Sequence, residues 1–156
     1  MLERTPGGES PEATKEENNM NAGERAIRAA IYTLIQGLQN NDMRRVERVY
    51  AHNRNLLVFM EGPKMKVVGW RPMRKAVADF LRTHKDIQSR LNRDCRFVAS
   101  GRLGVFYGTY RFKAVNRKTG KRIRWTARNT FIFKKMGKRW KVIHEHDSFP
   151  VPTPGS

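Results

Sequence analysis

The second half of the chain alternates apolar and charged residues over long stretches, and this alternation restricts the folds open to it. In one stretch Trp125 and Phe131 would share a face, with Arg124 and Arg128 on the opposite face. Similar segments predict strands at about 90–100, 103–116, 121–134 and 139–149. Short turns containing glycine separate them, so consecutive strands run antiparallel. The sequence therefore predicts an antiparallel sheet with one apolar face.

Three helices are predicted ahead of most of this sheet. The first begins at Asn21, whose side chain would cap it, with Glu24 completing a capping box. Its apolar residues recur at helical spacing and comprise Ile27, Ala30, Ile31, Leu34, Ile35 and Leu38. Asp42 would cap a second, shorter helix, and Pro72 suits the first turn of a third.

Two short strands, at 55–61 and 66–70, are predicted between the second and third helices. The order is then α-α-β-β-α-β-β-β-β, which predicts an α+β fold with a curved antiparallel sheet wrapped around three helices. We expect one domain over residues 21–150, preceded by a flexible acidic tail at 1–20 and followed by a short tail at 151–156.

Charge is distributed unevenly along the chain. Residues 1–24 carry a formal charge of −4 and the remaining residues carry +22, so the body should attract polyanions. Two predicted turns hold many of the cations: Arg117, Lys118, Lys121, Arg122 and Arg124 at one, and Lys134, Lys135, Lys138 and Arg139 at the other. Because successive hairpin turns lie at opposite ends of a sheet, we predict non-specific contact with nucleic acid or another polyanion rather than sequence readout.

Composition also disfavours several classes of protein. The sequence has no apolar run long enough to span a membrane, and its N-terminus resembles neither a secretory signal nor a transit peptide. The single Cys95 excludes an intrachain disulfide and a cysteine-based metal site. We therefore expect a cytoplasmic protein with no cofactor and no bound metal.

The C-terminal segment carries a motif that runs from a turn through a tryptophan and two alternating histidines to a proline. Its residues are Gly137, Lys138, Trp140, His144, His146, Ser148 and Pro150. With Arg128-x-Thr130 on the preceding strand and the order of elements, this ending resembles the SnoaL-like branch of the nuclear transport factor two-like superfamily, whose fold is a cystatin-like α+β cone. The ending is also similar to the association domain of calmodulin-dependent protein kinase. The resemblance covers about residues 22–150.

The resemblance implies a pocket between the helices and the concave side of the sheet. It implies a domain that binds a small organic ligand, transforms it in the enzymatic members, and forms a homodimer or a higher homo-oligomer through the sheet. Relatives include isomerases, dehydratases, cyclases, epoxide hydrolases and non-catalytic modules, so the fold does not fix the function. The alternative is a non-catalytic basic domain that binds a polyanion, and the sequence leaves open whether the protein is an enzyme.

Two histidines in this motif are the first candidates for chemistry. His144, His146 and Ser148 alternate on one strand and should share a face with Trp140 and Val142. They would then form a polar cluster at the pocket in which an imidazole acts as acid or base, or they are hydrogen-bonded structural residues. The intervening Glu145 and Asp147 are expected on the opposite face.

Arg128 and Tyr32 are further candidates. Arg128 would clamp an anionic ligand in the pocket, pair with Asp147 or Glu145, or face solvent. Tyr32 lies where steroid-isomerase relatives often carry a catalytic tyrosine, so the resemblance implies a hydrogen-bond donor there or a packing residue. The carboxylate base of those relatives is not evident after Tyr50.

Four aromatic side chains are candidate pocket walls. Phe59, Trp70, Tyr110 and Trp125 would line a site for a flat apolar ligand, or they belong to the ordinary core.

Overall fold

A computed structural model describes residues 19–60 and 65–150 of the chain. Its helices are α1 (Ala22–Gln39), α2 (Met43–Val49) and α3 (Trp70–Thr83). Its strands are β1 (Leu57–Phe59), β2 (Val67–Val68), β3 (His84–Leu91), β4 (Arg96–Ser100), β5 (Leu103–Asn116), β6 (Arg122–Met136) and β7 (Arg139–Ser148). The tails predicted at 1–20 and 151–156 lie outside the described residues, apart from the last two of the first tail.

The predicted helix signals are present in the structure. The Asn21 side chain accepts a hydrogen bond from the Glu24 backbone at 2.9 Å, and the Glu24 carboxylate accepts one from the Asn21 N–H at 2.8 Å. This reciprocal capping box satisfies two N–H groups that the first helical turn leaves unpaired. The apolar face of α1 is buried, with Ile27 fully inaccessible to solvent. Asp42 caps α2 through the backbone N–H of Arg45.

The sheet confirms the predicted fold class. Three helices pack against a curved, unclosed sheet of seven strands. Six strands follow the order β2-β1-β7-β6-β5-β3. The seventh, β4, pairs with the first half of β5, along the same edge that β3 occupies in the second half. Every pairing is antiparallel except that of β1 with β7, which makes the sheet mixed. Within residues 19–60 and 65–150, no helix combines the length and apolar character needed to cross a bilayer.

The single strand predicted at 90–100 is instead two strands joined by a turn. Asn92 and Asp94 hold this turn to β5, since the Asn92 N–H donates to the Thr109 carbonyl and the Asp94 carboxylate accepts from the Thr109 N–H, both at 3.0 Å. Gly108 permits the close approach, because a Cβ there would lie 2.6 Å from the Cα of Cys95. The turn therefore takes up the hydrogen-bonding groups of Thr109 on the edge of β5, and it divides the predicted strand in two.

Candidate functional site

A cavity of about 300 Å³ lies between the helices and the concave face of the sheet. Apolar side chains of α1 and α3 form one wall, and aromatic side chains of β5 and β6 form the facing wall. A small number of polar groups, among them Tyr50, Asn129, Glu145 and Asp147, also line it. An apolar cavity with a few polar groups is the usual form of a small-molecule site.

A β-bulge in β7 determines which side chains enter this cavity. Ile132 of β6 pairs with His144, but the next residue, Phe133, pairs with Val142, so Ile143 is an extra residue in the ladder. One extra residue reverses the face on which all later side chains of the strand lie. Glu145 therefore lies on the concave side with Val142, contrary to the orientation predicted from simple alternation.

The polar end of the cavity is built from two register pairs. Glu145 lies opposite Phe131 and Asp147 lies opposite Asn129, so both carboxyl groups share the inner face of the sheet. The Asn129 amide donates a hydrogen bond to the Asp147 carboxylate. The Tyr50 hydroxyl, at the end of α2, donates to Glu145 Oε2 at 2.6 Å. Tyr50 and Glu145 are 2 % and 6 % exposed, respectively, so this contact is shielded from water.

Burial changes the acid–base behaviour of this pair. Loss of hydration raises the pKa of Glu145 well above its ordinary value, and the neighbouring Asp147 charge raises it further against the opposing effect of the Tyr50 hydrogen bond. Burial likewise raises the pKa of Tyr50, and the Glu145 charge adds to that rise. The site thus favours the protonated form of Glu145, which accepts from Tyr50 and shares a hydrogen bond with Asp147.

The aromatic wall contains one unsatisfied donor. The rings of Phe112 and Trp125 stack at 4.5 Å with an interplanar angle of 12°, and Phe149 meets Trp125 edge-on at 5.5 Å. The Trp125 indole N–H is buried and has no hydrogen-bond partner among the described residues. A buried donor without a partner is costly, and a ligand acceptor would satisfy it.

Among the predicted pocket residues, Tyr110 and Trp125 do line the cavity. Two others lie elsewhere: Trp70 stacks on His52 at 4.3 Å, and Phe59 contacts the edges of two histidine rings on the other side of the sheet. Phe59 belongs to the short strand β1, whose buried central residue, Val58, takes the inner position. Their roles as pocket walls therefore have no geometric support.

The histidines and Ser148 lie on the outer face, because the bulge reverses their orientation. His144 Nδ1 is 2.8 Å from the Leu57 carbonyl, His146 is exposed, and Ser148 pairs with Arg128 in the ladder. The acid–base role predicted for the two imidazoles depended on their facing the pocket, and the structure does not place them there.

Arg128 and Tyr32 also point away from the cavity. Arg128 is exposed and donates to the Phe149 carbonyl at 2.9 Å. Tyr32 is 39 % exposed, and the Arg28 guanidinium lies 4.9 Å from its ring centroid. The anion-clamp and hydrogen-bond roles predicted for them would need a ligand on the outside of the domain.

The cationic turn clusters occupy opposite ends of the sheet, as their hairpins require. Arg117, Lys118 and Lys121 are exposed at the β5–β6 hairpin, with the Arg117 Nε donating to the His84 carbonyl at 3.0 Å. Lys138 and Arg139 are exposed at the β6–β7 hairpin. The remaining predicted cations lie on β6 itself: Arg122, Arg124, Lys134 and Lys135.

Comparisons with known proteins agree with this fold. A family model described as a SnoaL-like domain matches residues 27–152. No curated protein sequence matches the chain significantly.

Solved structures share the fold at low identity. A nuclear transport factor 2-like superfamily protein from Salmonella enterica serovar Typhimurium is 18 % identical with a TM-score of 0.75, covering 85 % of this chain and 94 % of that one. A proposed calcium/calmodulin-dependent protein kinase II association domain from Xanthomonas campestris is 19 % identical over all of both chains, with a TM-score of 0.70. A proposed dehydratase of the same superfamily from Streptomyces avermitilis is 13 % identical with a TM-score of 0.73, covering 83 % of this chain and 98 % of that one. Since the family model spans most of the sequence, the chain belongs to the SnoaL-like domain family.

Proposed function

We propose that the cavity binds a small, largely apolar organic ligand and that Glu145 and Asp147 move a proton on it. The observation that carries this proposal is the pair of carboxyl groups at the polar end of an otherwise apolar cavity, with Tyr50 bound to one of them at 2.6 Å. The volume of about 300 Å³ lies at the lower end of the range for ligand pockets, which favours a ligand of one or two rings.

The two carboxyl groups differ in environment, which suits them to opposite roles. The Asp147 carboxylate would accept a proton from a carbon next to a ligand carbonyl. The developing oxyanion would receive a hydrogen bond from protonated Glu145, whose second oxygen accepts from Tyr50. Return of the proton to the same or a neighbouring carbon regenerates the carboxylate, so atoms and charge balance.

A carbon acid of suitable size tests both parts of the proposal. 2-Tetralone, a two-ring ketone, should bind wild type in a fluorescence titration, and the variant Ala76→Phe, which fills the cavity wall, should abolish binding. Proton exchange of bound 2-tetralone with deuterated water, followed by NMR, should slow roughly a hundredfold in Asp147→Asn. Glu47→Gln, at an exposed ion pair, is the control and should match wild type.

Different results would refute the ligand-binding proposal and the proton-transfer proposal. Absence of binding by 2-tetralone and by one-ring and two-ring phenols and ketones would refute the ligand proposal. Binding with equal exchange rates in wild type, Asp147→Asn and Glu145→Gln would leave a binding protein and refute the proton transfer.

We also propose that the domain forms a homodimer through one end of the outer face of the sheet, where β4 pairs with the first residues of β5. Val98 and Leu103 are about half exposed there, and Val98 pairs with Val105, which pairs with Ile132, so an apolar row crosses three strands. Such exposed apolar surface is typical of an interface. Light scattering should give twice the chain mass for wild type and the monomer mass for Val98→Lys. A monomeric wild type would refute the dimer, and rings would favour hub-like assembly.

A further inference from the structure

The outer face of the sheet concentrates positive charge on three adjacent strands. Strands β3, β5 and β6 together contain nine Lys and Arg residues and a single acidic residue, Asp86. In the register, Arg90 lies directly opposite Arg111, and Lys113 lies directly opposite Arg124. All four side chains are exposed. We call these four residues, together with Arg122 and Arg128, the cationic face.

This arrangement is unfavourable without a counter-charge. Like charges directly opposite each other in a ladder destabilise a sheet. The ion pairs of the described residues involve Asp42, Glu47 and Asp79 on and beside the helices, and none reaches the cationic face. The Asp94 carboxylate lies at the edge of the face, where it accepts from Thr109 and makes no ion pair with these cations. Multiple phosphates would relieve this repulsion and release their own counterions on binding.

The dimensions of the cationic face fit a strand of nucleic acid. From Arg122 to Arg128 it extends six residues along β6, or about 20 Å at the rise of an antiparallel strand. That length corresponds to roughly six phosphates of a stacked strand. Farther along the face, Tyr107 is 45 % exposed and pairs with Thr130, two residues beyond Arg128. An exposed aromatic next to a row of cations is the usual platform for an unpaired base.

We propose that the cationic face binds single-stranded RNA or DNA, with the cations on the phosphates and Tyr107 under a base. This is a second site, on the opposite side of the sheet from the cavity, and it does not depend on the proposed pocket chemistry. It shares the outer face with the proposed dimer contact, but its cations extend along β6 from Arg128 to Arg122, away from the apolar row that ends at Ile132. Tyr107 lies between the two areas, two residues from Val105 on β5. The cationic face includes Arg122 and Arg124 from one of the turn clusters predicted from sequence, and the register adds cations of β3 and β5 to them in one area.

A charge-matched pair of variants tests the location. The face variant Arg111→Gln/Lys113→Gln/Arg124→Gln and the helix variant Arg44→Gln/Arg48→Gln/Arg71→Gln each remove three exposed cations. Their affinities for fluorescein-labelled oligo(dT) and oligo(U) of about 12 nucleotides are measured by anisotropy from about 25 to about 300 mM KCl.

The face variant should bind at least tenfold more weakly at about 100 mM salt, and the slope of log affinity against log salt should fall by about two. The helix variant should lie within about twofold of wild type. The melting temperature of the face variant should equal or exceed that of wild type, because like-charge pairs are removed. Equal losses in both variants, an unaffected face variant, or no binding by wild type at the lowest salt would overturn the proposal.

Tyr107→Ala tests the base contact, with Thr130→Ala as the neighbouring control. Affinity should fall roughly fivefold or more in Tyr107→Ala with no change in salt slope, and should not change in the control. If Tyr107→Ala has no effect and a duplex of the same length binds as tightly, the single-strand proposal is wrong. A preference for oligo(U) over oligo(dT), or the reverse, identifies which nucleic acid the face binds.

Discussion

Glu145→Gln should stabilise the protein increasingly as the pH rises. The raised pKa of Glu145 means that the folded protein holds this proton more tightly than the unfolded chain does. Between the ordinary pKa of 4.5 and the pKa in the folded protein, Glu145 loses its proton in the unfolded chain but keeps it in the folded protein. Over that interval the free energy of unfolding of wild type therefore falls as the pH rises. Glutamine does not titrate, keeps a similar shape and still accepts from Tyr50.

The magnitude follows from the proton linkage. Each pH unit between the ordinary and the raised pKa should add about 1.4 kcal/mol to the difference in unfolding free energy between Glu145→Gln and wild type. The difference should be constant below about pH 4.5 and constant again above the folded pKa.

Urea denaturation of both proteins, from about pH 4 to about pH 9, measures this difference. Titration of the histidines and of carboxyl groups away from the cavity cancels between the two proteins, so the difference reports on Glu145 and its neighbour Asp147. Glu47→Gln, which removes a partly exposed, ion-paired carboxylate, is the control and should stay within about 1 kcal/mol of wild type throughout. A difference for Glu145→Gln that is flat across this range would show that the site does not hold the proton, and the assigned acid–base roles would be wrong.

Two further substitutions and one thiol reaction test local contacts of the fold. Gly104→Ala should cost about 1–3 kcal/mol in urea denaturation, because its Cβ would lie 2.2 Å from Ile27 Cδ1; an unchanged stability would contradict the contact. Asn21→Ala should cost about 1 kcal/mol through loss of the capping box with Glu24, measured the same way. The thiol of Cys95, whose pKa burial raises to about 11, should react with a disulfide reagent near pH 8 much more slowly in the folded protein than in urea; equal rates would show it to be accessible.

The sequence was sufficient for most of the fold because its local signals agree with the tertiary structure. The capping box at Asn21, the helical spacing of the α1 residues and the glycine turns each act within a few residues. The division of the strand predicted at 90–100 was missed although the segment contains two turn-favouring residues, Asn92 and Asp94. Their bonds to Thr109 on another strand, which hold the turn against β5, could not be read from the segment itself.

The site was harder to predict because one inserted residue decides it. Simple alternation along β7 placed His144 and His146 inward and the acids outward, and the bulge at Ile143 reverses that assignment. The available signal was indirect: two acidic residues within an otherwise apolar and basic strand at the centre of the sheet. Tyr50 could be placed beside Glu145 only through tertiary structure, because the two residues are 95 positions apart.

The position of β7 in the sheet has a consequence for synthesis of the protein. This strand is the last of the seven described strands, yet it lies between β1 and β6, and β1 precedes it by about 80 residues. A ribosome would therefore release helices α1 to α3 and six strands before the strand that joins the two ends of the sheet emerges. Contacts between residues so far apart in sequence slow folding. Because Glu145 and Asp147 belong to that strand, nascent chains lacking it would lack both carboxyl groups of the cavity, and the proposed site would assemble only as translation of the domain finishes.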